Sequence, residues 1–257
     1  MIELLQFRHS PYNEKVRWAL DLKRVSHRRR SLLPGPHMGV VKKLTGRTQT
    51  PALVLDDGTV IDGSARILDW LEQRHPAPPL MPDDADLREQ VLAIQRRFDE
   101  DITPRIRRAV LDALVRRPRY FAAVFGEAES PLKQRLYSLI VPLAAPLVRK
   151  GNGITGAAAV ADGIAAGHEA MDFVAAQATA AGYLVGGRFT LADISAATTL
   201  ATLVRPVNSP MQSPQPVDPL FAEMIAPFQK HPAAQWVRDI YARHRGASAD
   251  FEGPSPY

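Results

Sequence analysis

Apolar positions along the chain change their period near residue 83. Before that point, short runs with strand character alternate with helical ones: Ile2 to Phe7, a helix over Tyr12 to Lys23, then a strand around His27 to Leu33. Ala52 to Leu55 and Thr59 to Ile61 flank Asp57-Gly58, a dipeptide suited to a hairpin turn, and a helix follows from Ser64 to about Arg74. In the first helix Tyr12, Val16, Ala19 and Leu20 share one face, while Glu14, Lys15, Arg17 and Asp21 lie elsewhere. That is the pattern of a helix laid on a sheet. The proline-rich stretch His75 to Leu87 reads as a linker, and beyond it the spacing is helical almost throughout. The pattern predicts a small α/β domain over 1–82, an all-α domain over 83–246 and a mobile tail over 247–257.

Composition narrows the chemistry. A chain of 257 residues holds one large domain or two ordinary ones. No apolar run reaches the roughly 18 residues of a membrane span and no signal-peptide core opens the chain, so a cytoplasmic protein without a membrane partner is expected. There is no cysteine. Any thiol chemistry must therefore use a thiol that a ligand brings. The net charge of +5 is concentrated most densely at Arg28 to Arg30, which reads as a solvated strand edge. Acidic residues are interspersed elsewhere and no nucleic-acid motif accompanies the run, so no nucleic-acid partner is expected. The histidines lack ligand spacing and predict no metal. "GNGITG", residues 151–156, has the spacing of a dinucleotide loop, but Pro142 and Pro146 precede it where a central strand would have to run. It reads as a turn between helices.

In "HSPYNEKVRWAL", Ser10 and Pro11 sit where an extended segment gives way to a helix, the layout of a redox-active cysteine motif with no cysteine. "SPYNEKVRWAL", "LTGRTQTPALVLDDGTVIDGSARILDWLE" and "GGRFTLADISAA" together resemble the glutathione transferase family. The likeness covers 1–82 and 183–204 well; between about 100 and 180 it extends only to helical character. It implies a thioredoxin-like N-terminal domain, an α-helical C-terminal domain, and glutathione or another low-molecular-weight thiol as co-substrate. It also implies thiol transfer to an electrophilic, apolar substrate, as in detoxification, with "QRRFDEDITPRIRR" as a lining, and a homodimer. Thr190 and Asp193 form a capping pair that closes a buried helix start, with Phe189 and Ile194 as its hydrophobic staple.

The resemblance also assigns roles. A free thiol has a pKa near 8.5, so only about 3% is thiolate at pH 7. A hydroxyl at Ser10, beside the positive end of the first helix, would stabilise the thiolate as a hydrogen-bond donor. Thr50 and Pro51 stand where the family has a cis proline, whose turn presents backbone groups to the ligand's cysteinyl unit. Ser64 opens a helix and makes an anion site for the γ-glutamyl carboxylate. His37 and Arg47 lie in loops where the family holds the glycyl carboxylate. Gly63 departs from the family's acidic residue before that serine, and Asp62 is the substitute acceptor for the ligand's ammonium. The lost acid and the missing cysteine leave a second reading open: a non-catalytic binding or regulatory protein on the same fold.

Overall fold

A computed structural model describes residues 1–127, 129–247 and 250–254. The N-terminal part runs β1 (Glu3–Gln6), α1 (Pro11–Leu22), β2 (His27–Ser31), α2 (His37–Thr45), β3 (Ala52–Val54), β4 (Val60–Asp62) and α3 (Ser64–Arg74). Its sheet has the order β4-β3-β1-β2, with β1 and β2 parallel and the other pairs antiparallel. This is the thioredoxin-like arrangement expected. Proline at the first position of α1 suits a helix start, because its missing N–H would have no helical partner there. The pattern does not predict α2, since Pro34, Gly35, Pro36 and Gly39 hide its helical spacing. It stops at Gly46, whose φ of 73° closes the helix in the left-handed region.

The C-terminal part is helical: α4 (Ala85–Arg96), a π-helical stretch (Arg97–Ile102), α5 (Thr103–Val115), α6 (Pro118–Phe125) and α7 (Pro131–Gly151), then α8 (Ala157–Gln177), α9 (Leu191–Val204), α10 (Pro219–Lys230) and α11 (Ala233–His244). All of α9 is buried, and α1 packs against it across the domain boundary. The capping pair is present: Asp193 accepts from the Thr190 N–H at 2.8 Å and from the Leu184 N–H at 2.9 Å.

Three expectations differ from what is found. The polar side of α1 faces the helical domain instead of water: Lys15 binds Asp99 at 2.7 Å, while Arg17 and Arg245 both bind Glu14, at 2.6 and 2.8 Å. Arg29 is not solvated either; it turns inward onto Asp21 at 2.6 Å. These charges stay buried because each meets a counter-charge. Finally, Asp250–Pro254, within the stretch read as a mobile tail, lies along the open edge of β2 as a parallel strand β5. An unpaired strand edge is a ready template for such an addition. Residues 248, 249 and 255–257 of that stretch lie outside the described residues.

Candidate active site

Ser10 precedes α1 with an extended backbone (φ −101°, ψ 128°), and its side chain makes no capping hydrogen bond. The hydroxyl thus stands at the positive end of a 12-residue helix with no described partner. It lines a cavity of about 500 Å³ between the two domains, together with Phe7, His9, His37 and Thr50 on the N-terminal side. The Thr50-Pro51 peptide is cis, and Asn13 of α1 donates to Thr50 Oγ1 at 3.2 Å.

Ser64 lies next to this turn and outside the cavity lining. Gly63 donates its N–H to Pro51 O at 3.0 Å, and the β3–β4 register pairs Ala52 with Asp62. Ser64 is the first residue of α3 and its side chain makes no cap bond. Gly63 has φ 86° and ψ 138°, a conformation side chains resist, which gives a backbone reason for glycine here. Asp62 is already engaged: Arg66 binds its carboxylate and Arg47 approaches within 3.8 Å. Arg47 is otherwise largely exposed and does not line the cavity. His37 accepts from the Gly35 N–H at 3.0 Å through Nδ1 and lies 3.0 Å from Thr48 O through Nε2. With both ring nitrogens committed, it braces the loop around Pro36. Tyr12, two residues beyond Ser10, spends its hydroxyl on Asp99 O at 2.6 Å, and burial pushes its pKa up to about 12.

The helical domain supplies the far wall. Thr103, Ile106 and Arg107 come from the expected lining segment, while Arg97 and Arg105 turn away to Glu169 and Asp162. Sequence reasoning missed two residues. His9 is buried, and that burial holds its pKa down to about 4 although Glu127 lies 3.5 Å away. Arg205 closes α9 in the left-handed region (φ 58°) and points into the cavity. Its guanidinium donates to Ser213 Oγ, at 2.8 Å from Nε, and lies over the ring of Phe221. Among the described residues it has no carboxylate partner, and burial lowers its pKa to about 10. The only local signal was a charge ending an apolar helical run, which does not say where it points. A wider depression of about 790 Å³ between α5, α8 and α10 holds none of the expected site residues. Among the described residues no group of three metal-ligating side chains occurs.

Comparison with known proteins places these features in context. Residues 4–79 match the model of the glutathione S-transferase N-terminal domain, and residues 157–222 match that of the C-terminal domain. A maleylpyruvate isomerase of Ralstonia sp is 31% identical over 139 residues, which is 51% of this chain and 59% of that protein. A probable maleylacetoacetate isomerase of Caenorhabditis elegans is 30% identical over 126 residues, 48% of this chain and 58% of that protein. The matches thus span less than two thirds of either relative. A glutathione S-transferase structure from Xanthobacter autotrophicus aligns with a TM-score of 0.60 at 18% identity, covering 94% of this chain and 93% of that one. That is a likeness of fold.

Proposed function

The chain belongs to the glutathione S-transferase family, and we propose that it uses a glutathione-like thiol to transform an unsaturated carbonyl acid in the interdomain cavity. The observation that carries this reading is that one cavity holds both the unpartnered Ser10 hydroxyl and Arg205 without a counter-ion. An unpaired buried guanidinium is costly, and a substrate carboxylate supplies what it lacks. This departs from the apolar substrate expected above. The names of the two isomerase relatives, each built on that of an acid, point the same way.

The residues present fit a thiol ligand: a free hydroxyl donor at a helix N-terminus, a cis-proline turn, and a helix start at Ser64. When bound, the thiol supplies a soft nucleophile that adds reversibly to an activated double bond. Ser10 donates a hydrogen bond to the sulfur, and with the α1 dipole it favours the thiolate; lowering the pKa by about two units corresponds to about 2.7 kcal/mol. Thr50, held by Asn13, orients the ligand backbone, and Ser64 anchors its distal carboxylate. Arg205 holds the substrate carboxylate and stabilises negative charge that develops on its conjugated oxygen. Apolar walls from Ile106, Val110 and Phe121 exclude water.

The test is thiol-dependent change in the ultraviolet absorbance of a cis-configured, conjugated keto diacid, with thermal shift run in parallel. Glutathione should raise the melting temperature, since binding stabilises by RT ln(1 + [L]/Kd). Arg205→Met should raise KM for the acid at least tenfold and leave thiol affinity unchanged. Turnover without thiol, or none with any thiol, overturns the reading; binding without turnover favours the regulatory alternative, for which Gly63 is the motivating departure.

A further inference from the structure

Helix α7 is apolar on two opposite sides. Ser138, Val141 and Ala145 are buried against the protein. The other side presents Leu132, Leu136, Leu139, Ile140, Leu143 and Leu147, each between 54% and 81% exposed. With successive residues turned by about 100°, these six form one stripe roughly 100° wide. They are more than half of the large hydrophobic side chains exposed among the described residues. The helix also lies in the stretch between residues 79 and 157 that neither family model matches. A helix apolar on both sides is ordinarily enclosed, which marks this exposed face as a candidate docking surface.

Charge identifies the occupant. From Pro131 to Gly151 the helix carries Lys133, Arg135, Arg149 and Lys150 and no acidic residue. Lys133 pairs with Glu129 and Arg149 with Asp112, whereas Arg135 and Lys150 have no ion pair among the described residues. On the helical wheel Lys133 and Arg135 border the apolar stripe on either side, as in helices lying within a bilayer interface. A second copy fits poorly. Its α7 would bring basic ends to basic ends in either orientation. An anionic lipid surface matches the charge.

We propose that α7 docks the protein on anionic lipid bilayers, with its leucine stripe in the acyl boundary and its basic residues at the headgroups. This departs from the expectation of no membrane partner, which rested on the absence of a spanning run; among the described residues no helix is long and apolar enough to cross a membrane, and a surface helix does not need to be. Leu147 and Val148 of α7 also line the interdomain cavity, so docking would bring its mouth close to the lipid.

The experiment is co-sedimentation of the full chain with vesicles of phosphatidylcholine alone or with phosphatidylglycerol, at low and high salt, beside light scattering. At least tenfold more protein should sediment with the anionic vesicles, and high salt should reduce it. The double variant Leu139→Asp, Leu143→Asp should abolish binding with an unchanged melting temperature, because both positions are exposed. Arg135→Glu with Lys150→Glu should remove the preference for anionic lipid. Absence of vesicle binding overturns the proposal, and so does a light-scattering mass that the leucine variant halves, which would assign the face to a second copy.

Discussion

Asn13 Nδ2 lies 3.2 Å from Thr50 Oγ1, so one side-chain hydrogen bond joins the first turn of α1 to the cis-proline turn 37 residues later. Asn13 is fully buried, and it links the residue proposed to ionise the thiol with the one proposed to orient its backbone. Asn13→Ala should weaken thiol binding about fivefold, matching a lost hydrogen bond of about 1 kcal/mol. The pH dependence of turnover should stay where it is, because Ser10 is untouched. Isothermal titration with glutathione beside a pH–rate profile checks both halves.

Ser10→Ala acts on ionisation and should behave in the opposite way. Turnover at pH 7 should fall by up to roughly 25-fold, the change in thiolate fraction if the whole two-unit pKa shift is lost. The rate should recover as pH approaches the free-thiol value near 8.5. Thiolate absorbance of the bound ligand, titrated in wild type and variant, gives the pKa directly; superimposable curves would remove Ser10 from the mechanism.

His9 links stability to acid. Burial lowers its pKa from 6.5 to about 4, so the unfolded chain takes up a proton before the native one does. Stability is therefore lost as pH falls from about 6.5 to about 4, by up to ~3 kcal/mol for this group. Asp193 works in the other direction: burial raises its pKa to about 6, so the native state gains stability as it takes up a proton over the same range. The difference between wild type and His9→Gln isolates the histidine. Its melting-temperature gap should shift in favour of the variant below pH 6.

Gly63→Glu tests which thiol is bound. No atom beyond its chain neighbours lies within 4 Å of a Cβ built at this position, so the cost is backbone strain at φ 86°, about 1–3 kcal/mol of stability. If glutathione is the ligand, the added carboxylate should tighten its binding about tenfold or more through a charge-assisted bond to the ammonium. Denaturant melts and glutathione titrations read the two effects separately. A variant that loses stability and gains no affinity points to a thiol without that ammonium.

Asp193→Ala should be the most damaging of these changes. Its carboxylate serves the N–H groups of Leu184 and Thr190 and the Thr190 hydroxyl, all buried at the start of the central helix α9. Leaving such donors without partners costs about 1–3 kcal/mol each in the worst case. A loss above ~3 kcal/mol in urea unfolding is expected, with Thr190→Ala milder at about 1–2 kcal/mol.

Local signals are enough for every N-terminal element except α2. Strand and helix periods, the Asp57-Gly58 turn and the proline before α1 are all properties of neighbouring residues, and Ser64–Arg74 appears with the expected bounds. The same holds for the Thr190–Asp193 cap, whose partners are three residues apart. Helix α2 is hidden because Gly39 inside it and Pro34 and Pro36 just before it carry turn signals even when the chain turns into a helix.

Contacts between distant segments are beyond that kind of reading. Glu14 meets Arg245 across 231 positions, and Lys15 meets Asp99 across 84, so charges that look locally like a wet face of α1 form a dry one. Arg205 is one more basic residue in a basic chain until α9 aims it at the cavity that Ser10 enters from the other domain. Most of the strands and helices, though neither α2 nor β5, follow from the chain alone, because their signals come from residues a few positions apart. Which charges are paired, and which is left facing the cavity, is settled only in the folded molecule, because burial and counter-charge are set by segments that come together on folding.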